Sequence, residues 1–121
     1  MKSSLNWFEI PANDIERAAR FYEAMLGVSL KREAFHGESM AIFPAERPGV
    51  AGSLVQGPRR KPGVDGTVVF LNAPDLETSL VRASTAGGKV VAPLTDIGEM
   101  GAFAIVLDTE GNRVGLHRAK S

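Results

Sequence analysis

Asn6-Trp7-Phe8-Glu9-Ile10-Pro11-Ala12-Asn13-Asp14-Ile15-Glu16 decides the fold. Its first half alternates as a half-buried strand does, with Phe8 and Ile10 on one face and Leu5, Trp7 and Glu9 on the other. Pro11 ends the strand, because it has no N–H to donate to a ladder. Asn13 or Asp14 can then cap a helix, and Glu16, three residues after Asn13, completes a capping box. Ile15, Ala18, Ala19, Tyr22, Met25 and Leu26 recur at helical spacing, and Gly27 supplies the left-handed residue on which a helix stops.

The same pattern returns at an offset of 61 residues, from Asp14 to Asp75. Val68-Val69-Phe70-Leu71 is the second strand, and Asp75-Leu76-Glu77 repeats Asp14-Ile15-Glu16. Leu76, Leu80, Ala83 and Ala86 form a second apolar stripe, which Gly87-Gly88 closes. Each strand–helix pair is followed by three further strand candidates. In the first half these are Val28 to Phe35, Ser39 to Pro44 and Ala51 to Val55, with a tight turn at His36-Gly37-Glu38. In the second half they are Lys89 to Pro93, Ala102 to Leu107 and Arg113 to His117, the last two joined by the turn Asp108-Thr109-Glu110-Gly111-Asn112. A segment rich in Pro, Gly and basic residues separates the halves. The organisation is one α+β domain over 1–121, with unit one at 1–57, a linker at 58–66 and unit two at 67–121.

The bulk composition fits that reading and removes several function classes. A chain of 121 residues, 44% hydrophobic and 23% charged, suits one folded domain. Fourteen basic residues balance fourteen acidic ones, so no global field attracts nucleic acid or an anionic membrane. The absence of cysteine excludes disulfides and thiolate chemistry. No apolar run approaches the roughly 18 residues of a membrane helix, and the N-terminus enters a strand pattern with no signal-like apolar stretch. A cytoplasmic location is the expectation.

Two successive βαβββ units in about 120 residues resemble the vicinal oxygen chelate superfamily, which includes glyoxalase, bleomycin-resistance and extradiol dioxygenase proteins. The carriers are Asp14-Ile15-Glu16-Arg17-Ala18-Ala19-Arg20-Phe21-Tyr22, Ala86-Gly87-Gly88-Lys89-Val90, and Gly101-Ala102-Phe103-Ala104 followed by Asp108-Thr109-Glu110-Gly111-Asn112. The resemblance implies that each unit supplies half of a curled mixed sheet that cups a ligand, often in a homodimer. Within the group the chain looks like the small glyoxalase-like proteins without an assigned substrate. The linker leaves open whether the two units pair within one chain or swap between two.

Metal-using members carry His and Glu ligands on the first and last strand of each unit. Carried over by position, these sites fall on Trp7, Val68 and Gly115, with the fourth near Gly52 or Ser53. Indole, isopropyl and hydrogen offer no lone pair suited to a divalent cation. The expectation is no metal and no other cofactor, and glutathione-adduct lyase chemistry does not carry over with the resemblance.

Alternation places further side chains on the face of these positions: Glu9 beside Trp7, Phe70 and Asn72 beside Val68, Arg113 and His117 beside Gly115. The expected cup therefore has Trp7, Phe70 and Phe103 as walls and Asn72 and Arg113 as polar ligand contacts. Glu9 and His117 are the candidate proton-transfer groups. Glu9 needs a partner if buried, and Arg113 is the candidate. The leading expectation is a binder of a small organic molecule. The alternatives are a metal-independent enzyme using Glu9 or His117 on a small carbonyl substrate, and a metal-dependent lyase, isomerase or dioxygenase. Gly98-Glu99-Met100-Gly101 reads as a turn, with a mobile rim over the cup as the other possibility.

Overall fold

The computed structural model describes residues 3–120. The elements run β1 (Trp7–Pro11), α1 (Ile15–Leu26), β2 (Lys31–Phe35), β3 (Glu38–Ile42), β4 (Ala51–Gln56), β5 (Phe70–Asn72), α2 (Leu76–Thr85), β6 (Lys89–Asp96), a 3₁₀ turn at Gly98–Met100, β7 (Ala102–Leu107) and β8 (Arg113–Arg118). The tandem βαβββ organisation is as the repeat implied. Each unit forms its own four-stranded sheet, ordered β1-β4-β3-β2 and β5-β8-β7-β6. In both, the first strand lies parallel to the last, and the other pairings are antiparallel.

The local stops and starts follow from the residues that carry them. Asp14 caps α1, its side chain accepting from the Arg17 N–H, and Gly27 ends the helix in the left-handed region at φ 67°. The capping box expected from Asn13 and Glu16 does not form. The Asn13 N–H donates to Glu110 Oε1 at 2.8 Å, and Glu16 pairs with Arg32 instead. Asp75 caps α2 in the same way, accepting from the Thr78 N–H. The β2–β3 turn places both His36 (φ 51°) and Gly37 (φ 80°) at positive φ, the backbone that a two-residue hairpin with the strands' own twist requires. β2 begins at Lys31 rather than Val28, because Leu30 turns into the core. β5 begins at Phe70, so Val68 precedes the paired strand. Gly98–Met100 is a 3₁₀ turn, closed by the Gly101 N–H on the Gly98 carbonyl at 2.9 Å.

One core serves both units. The helix-facing side chains of β1, β3 and β4 (Ile10, Ala41, Leu54) join those of β7 and β8 (Ala104, Val106, Leu116) around α1 and α2. The two helices pack on each other, so the sheets meet back to back through them, with their other faces turned outward. A buried polar seam completes the join. Asp108 Oδ2 accepts from the Tyr22 hydroxyl at 2.6 Å and from Asn112 Nδ2 at 2.9 Å, while Oδ1 takes the N–H groups of Glu110 and Asn112. Burial, with Asp108 beside it, holds the Tyr22 hydroxyl's pKa well above its ordinary value. Asn112 Nδ2 also donates to the Pro11 carbonyl, and its Oδ1 receives the Gly63 N–H from the linker.

Glu110 closes the seam by accepting the Asn13 and Asp14 N–H groups and both arms of the Arg17 guanidinium. Burial pushes its carboxyl up, but Arg17, the Asp14 N–H, Thr109 and the Asn13 N–H together hold it below the ordinary value. Arg32 holds Glu16 and Glu23 low, and Arg60 does the same for Glu38. All four titrate lower folded than unfolded. Their stabilisation is therefore complete above the unfolded value, about 4.5, and is lost as pH falls through the depressed folded values. The urea midpoint is expected to be flat from about pH 7 to 5 and to fall steeply from about pH 4.5 to 3. Glu110→Gln should be less stable at pH 7 and flatten the acid limb. A midpoint independent of pH in that window contradicts the seam's electrostatics.

Candidate small-molecule site

The outward face of the first sheet is built from alternate residues of four strands. The register sets Trp7 opposite Ala51, Glu9 opposite Ser53 and Pro11 opposite Val55, and carries the face on through Ile42 and Met40 to Lys31 and Glu33. On it lies a cavity of about 330 Å³ lined by Trp7, Glu9, Glu33, Ala34, Phe35, Met40 and Ile42. Met40 is buried in its floor, whereas Trp7 and Phe35 are exposed as walls. Such a mix of aromatic walls, an apolar floor and a few carboxylates is the chemistry of a small-molecule pocket. A larger depression of about 540 Å³ lies between the β2–β3 hairpin and the linker, lined by His36, Gly37, Glu38, Pro58, Arg59 and Arg60. Apart from Pro58 its lining side chains are charged or polar, whereas aromatic and aliphatic side chains wall the cavity over the sheet, which is the better organic site.

Glu9 is held, but not by Arg113. Its Oε1 lies 2.8 Å from Arg60 Nη1, and its Oε2 accepts the Trp7 indole N–H at 3.2 Å. Arg60 comes from the linker and grips Glu38 with its other arm, Nε to Oε2 at 2.7 Å and Nη2 to Oε1 at 3.0 Å. The pairing with Arg113 fails because β1 and β8 belong to different sheets. Ser53, fully buried opposite Glu9, has a side-chain hydroxyl with no hydrogen-bond partner among the described residues.

The other sequence candidates gather on the outward face of the second sheet. Phe70 pairs with Gly115, Asn72 with His117, and Phe103 with His117 across the next ladder. Phe70 is half exposed and meets Phe103 at a centroid distance of 6.1 Å. Arg113 begins β8 on the same face and is exposed. His117 Nε2 lies 2.6 Å from the Met100 carbonyl, so that nitrogen carries the proton and only Nδ1 can accept one. Trp7 and Glu9 therefore come together, as do Phe70, Asn72, Phe103, Arg113 and His117. Within one chain the two sets stand on separate sheets.

The register also settles the fourth position of the resemblance's metal set. Gly115 lies opposite Phe70, two residues beyond Val68; Ser53 lies opposite Glu9, two beyond Trp7. The positions are thus Trp7, Ser53, Val68 and Gly115. A Cβ added at Gly115 would run into the Phe70 ring, which covers the space a longer ligand would need. Among the described residues no three His, Asp or Glu side chains converge as a metal would need. This donor set does not fit the divalent ion of the metal-using members, and no chemistry is routed through one.

The family model for the glyoxalase/bleomycin resistance protein/dioxygenase superfamily matches residues 4–116. The chain belongs to that superfamily. Among curated proteins this superfamily member is 30% identical over 110 residues to CFP32 of Mycobacterium tuberculosis, a candidate glyoxylase, covering 89% of this chain and 41% of that protein. It thus spans about two fifths of that relative's length. Among solved structures, a glyoxalase/bleomycin resistance protein from Albidiferax ferrireducens T118 superposes with a TM-score of 0.71 at 17% identity, covering 98% of this chain and all of that one. TnmS3, an antibiotic-binding protein from Streptomyces sp. CB03234, superposes with a TM-score of 0.70 at 24% identity, covering 98% of this chain and 97% of that one. These likenesses establish the fold of the superfamily.

Sequence reasoning missed Arg60, Glu33 and Phe35. Alternation along β2 would have put Glu33 and Phe35 on the cup face, had it been carried past the first and last strands. No pattern in a Pro- and Gly-rich linker announces which of Arg59, Arg60 and Lys61 turns back onto the sheet.

Proposed function

We propose that this glyoxalase-superfamily chain binds a small organic molecule, without a metal ion, on the Trp7 face of its first sheet. The observation that carries the reading is the cavity of about 330 Å³ between Trp7, Phe35, Met40 and Ile42, with Glu9 and Glu33 at its margin. Binding is favoured over proton transfer by the state of the two candidate bases. Glu9 has one oxygen on a guanidinium and the other on an indole N–H, so both are occupied before a substrate proton arrives. His117 has its Nε2 committed to a backbone carbonyl. The antibiotic-binding TnmS3 is a precedent for a binder on this scaffold.

A homodimer belongs to the same proposal. β1 is paired only with β4 and β5 only with β8, which leaves each with an unpaired edge among the described residues. The first sheet's outward face carries Glu9 and Glu33, and the second's carries Arg113 and His117 beside the exposed Phe70. A second copy that sets its second sheet beside the first sheet of its partner unites the two half-sites and covers their exposed aromatic walls, Trp7 and Phe70. Sedimentation velocity should give a dimer; a monomer at all concentrations contradicts this part of the proposal.

The test of binding is a thermal-shift screen of small aromatic and carbonyl metabolites, since a ligand of the folded state raises the apparent melting temperature. Hits should be lost in Trp7→Ala, with about a tenfold or greater drop in affinity. For any hit that is turned over, Glu9→Gln and His117→Ala should separate the roles. Turnover abolished with binding intact would make the protein an enzyme and overturn the reading as a binder.

A further inference from the structure

The linker between the two units reaches the candidate site through one side chain. Arg60 lies four residues beyond the end of β4, and its guanidinium spans Glu38 at the β2–β3 hairpin and Glu9 on β1. The Glu38 contact is two-pronged, 2.7 and 3.0 Å, so the planar fork is fixed before it meets Glu9. Glu9 in turn receives the indole N–H of Trp7, so the chain Glu38–Arg60–Glu9–Trp7 sets the plane of the ring that walls the cavity.

Resting on the binding site proposed above, we infer that Arg60 is a positioning residue that orients Trp7 through Glu9 and shifts the cavity's preference away from aromatic cations toward neutral aromatic hydrogen-bond donors. A free carboxylate beside an indole face would attract a cation twice, through its charge and through the ring. With the guanidinium at 2.8 Å and shared with Glu38, the Glu9 charge is partly offset, as Lys31 at 3.3 Å offsets that of Glu33. The remaining lone pairs of Glu9 can still accept a hydroxyl or amide N–H, whereas a ligand cation would meet Arg60 as a like charge. A lysine in place of Arg60 keeps the charge but cannot span both carboxylates as a fork.

The experiment has two readouts. Trp7 is the only tryptophan in the chain, so intrinsic fluorescence reports its environment in the unliganded protein. Arg60→Met should shift the emission to the red and raise acrylamide quenching about twofold or more as the ring is released. Arg60→Lys should fall between the two, and a circular-dichroism spectrum unchanged from wild type excludes unfolding as the cause. Calorimetric titration with 2-naphthol and with 2-naphthylmethylammonium then reads selectivity. Arg60→Met should move the affinity ratio toward the ammonium by about tenfold relative to wild type, equivalent to about 1.4 kcal/mol. Unchanged emission, or an unchanged ratio with both probes still binding, overturns the role of Arg60 while leaving the site. Failure of both probes to bind wild type overturns the selectivity and the proposed site together.

Discussion

Tyr22→Ala is expected to destabilise the fold by about 3–5 kcal/mol. The ring is fully buried on α1, edge-on to Phe21 at 5.2 Å and to Phe43 at 5.5 Å between centroids, so truncation opens a cavity the two neighbours cannot fill. It also removes the 2.6 Å hydrogen bond to Asp108, a carboxylate buried in the turn that joins β7 to β8. Against a total stability of about 5–15 kcal/mol for a domain of this kind, the loss is about a fifth or more. Tyr22→Phe keeps the ring and loses only the hydroxyl, so about 1–2 kcal/mol is expected. Urea unfolding read by circular dichroism checks both. A loss under about 1 kcal/mol for the alanine variant would mean that the seam between the units is not what holds them together.

Glu110→Ala is the second large effect, about 3 kcal/mol, and it acts at the other end of the same seam. The carboxylate side chain is fully buried and accepts four hydrogen bonds that span the units: two from the N–H groups of Asn13 and Asp14 ahead of α1, and two from Arg17. Removing it leaves those N–H groups without their acceptor and opens a gap where the buried carboxylate stood. Removing the partner should matter less. The Arg17 side chain is 47% exposed, and Glu110 retains its backbone and Thr109 bonds, so Arg17→Met is expected to cost about 1 kcal/mol. The ordering of the two variants is the diagnostic result. If Arg17→Met proved as damaging as Glu110→Ala, the ion pair rather than backbone capping would dominate.

The fold was legible because it is written twice. The 61-residue offset aligns two caps, Asp14 and Asp75, whose side chains accept from the N–H three residues on in both helices. Alternation in β1 and β8 correctly assigned Trp7 and Glu9, and Arg113 and His117, to the outward faces. Period-two reasoning works there because the helix-facing positions are filled by Ile10, Val114 and Leu116, and a one-residue slip would bury charge.

The contacts made by long side chains across the sequence could not be read. Glu9 was expected to reach Arg113 because both are charged and share a strand face in the repeat. The sheets, however, close separately around a helical core, and the guanidinium beside Glu9 comes from the linker. The capping box at Asn13 and Glu16 had the right spacing and lost to tertiary bonds. Glu110, nearly a hundred residues away in sequence, takes the Asn13 and Asp14 N–H groups, and Arg32 takes Glu16. The vacancies at Trp7, Val68 and Gly115 were legible one residue at a time; the placing of Ser53 as the fourth needed the strand register.

The most direct test of the central proposal is the affinity of the best thermal-shift ligand for protein stripped of metal by chelation, read through the emission of Trp7, before and after adding back zinc, manganese or iron. The account predicts full binding in the stripped protein, a saturable change in Trp7 emission, and no gain on adding any ion. Binding that appears only with a divalent ion, or that leaves Trp7 emission untouched, would contradict it.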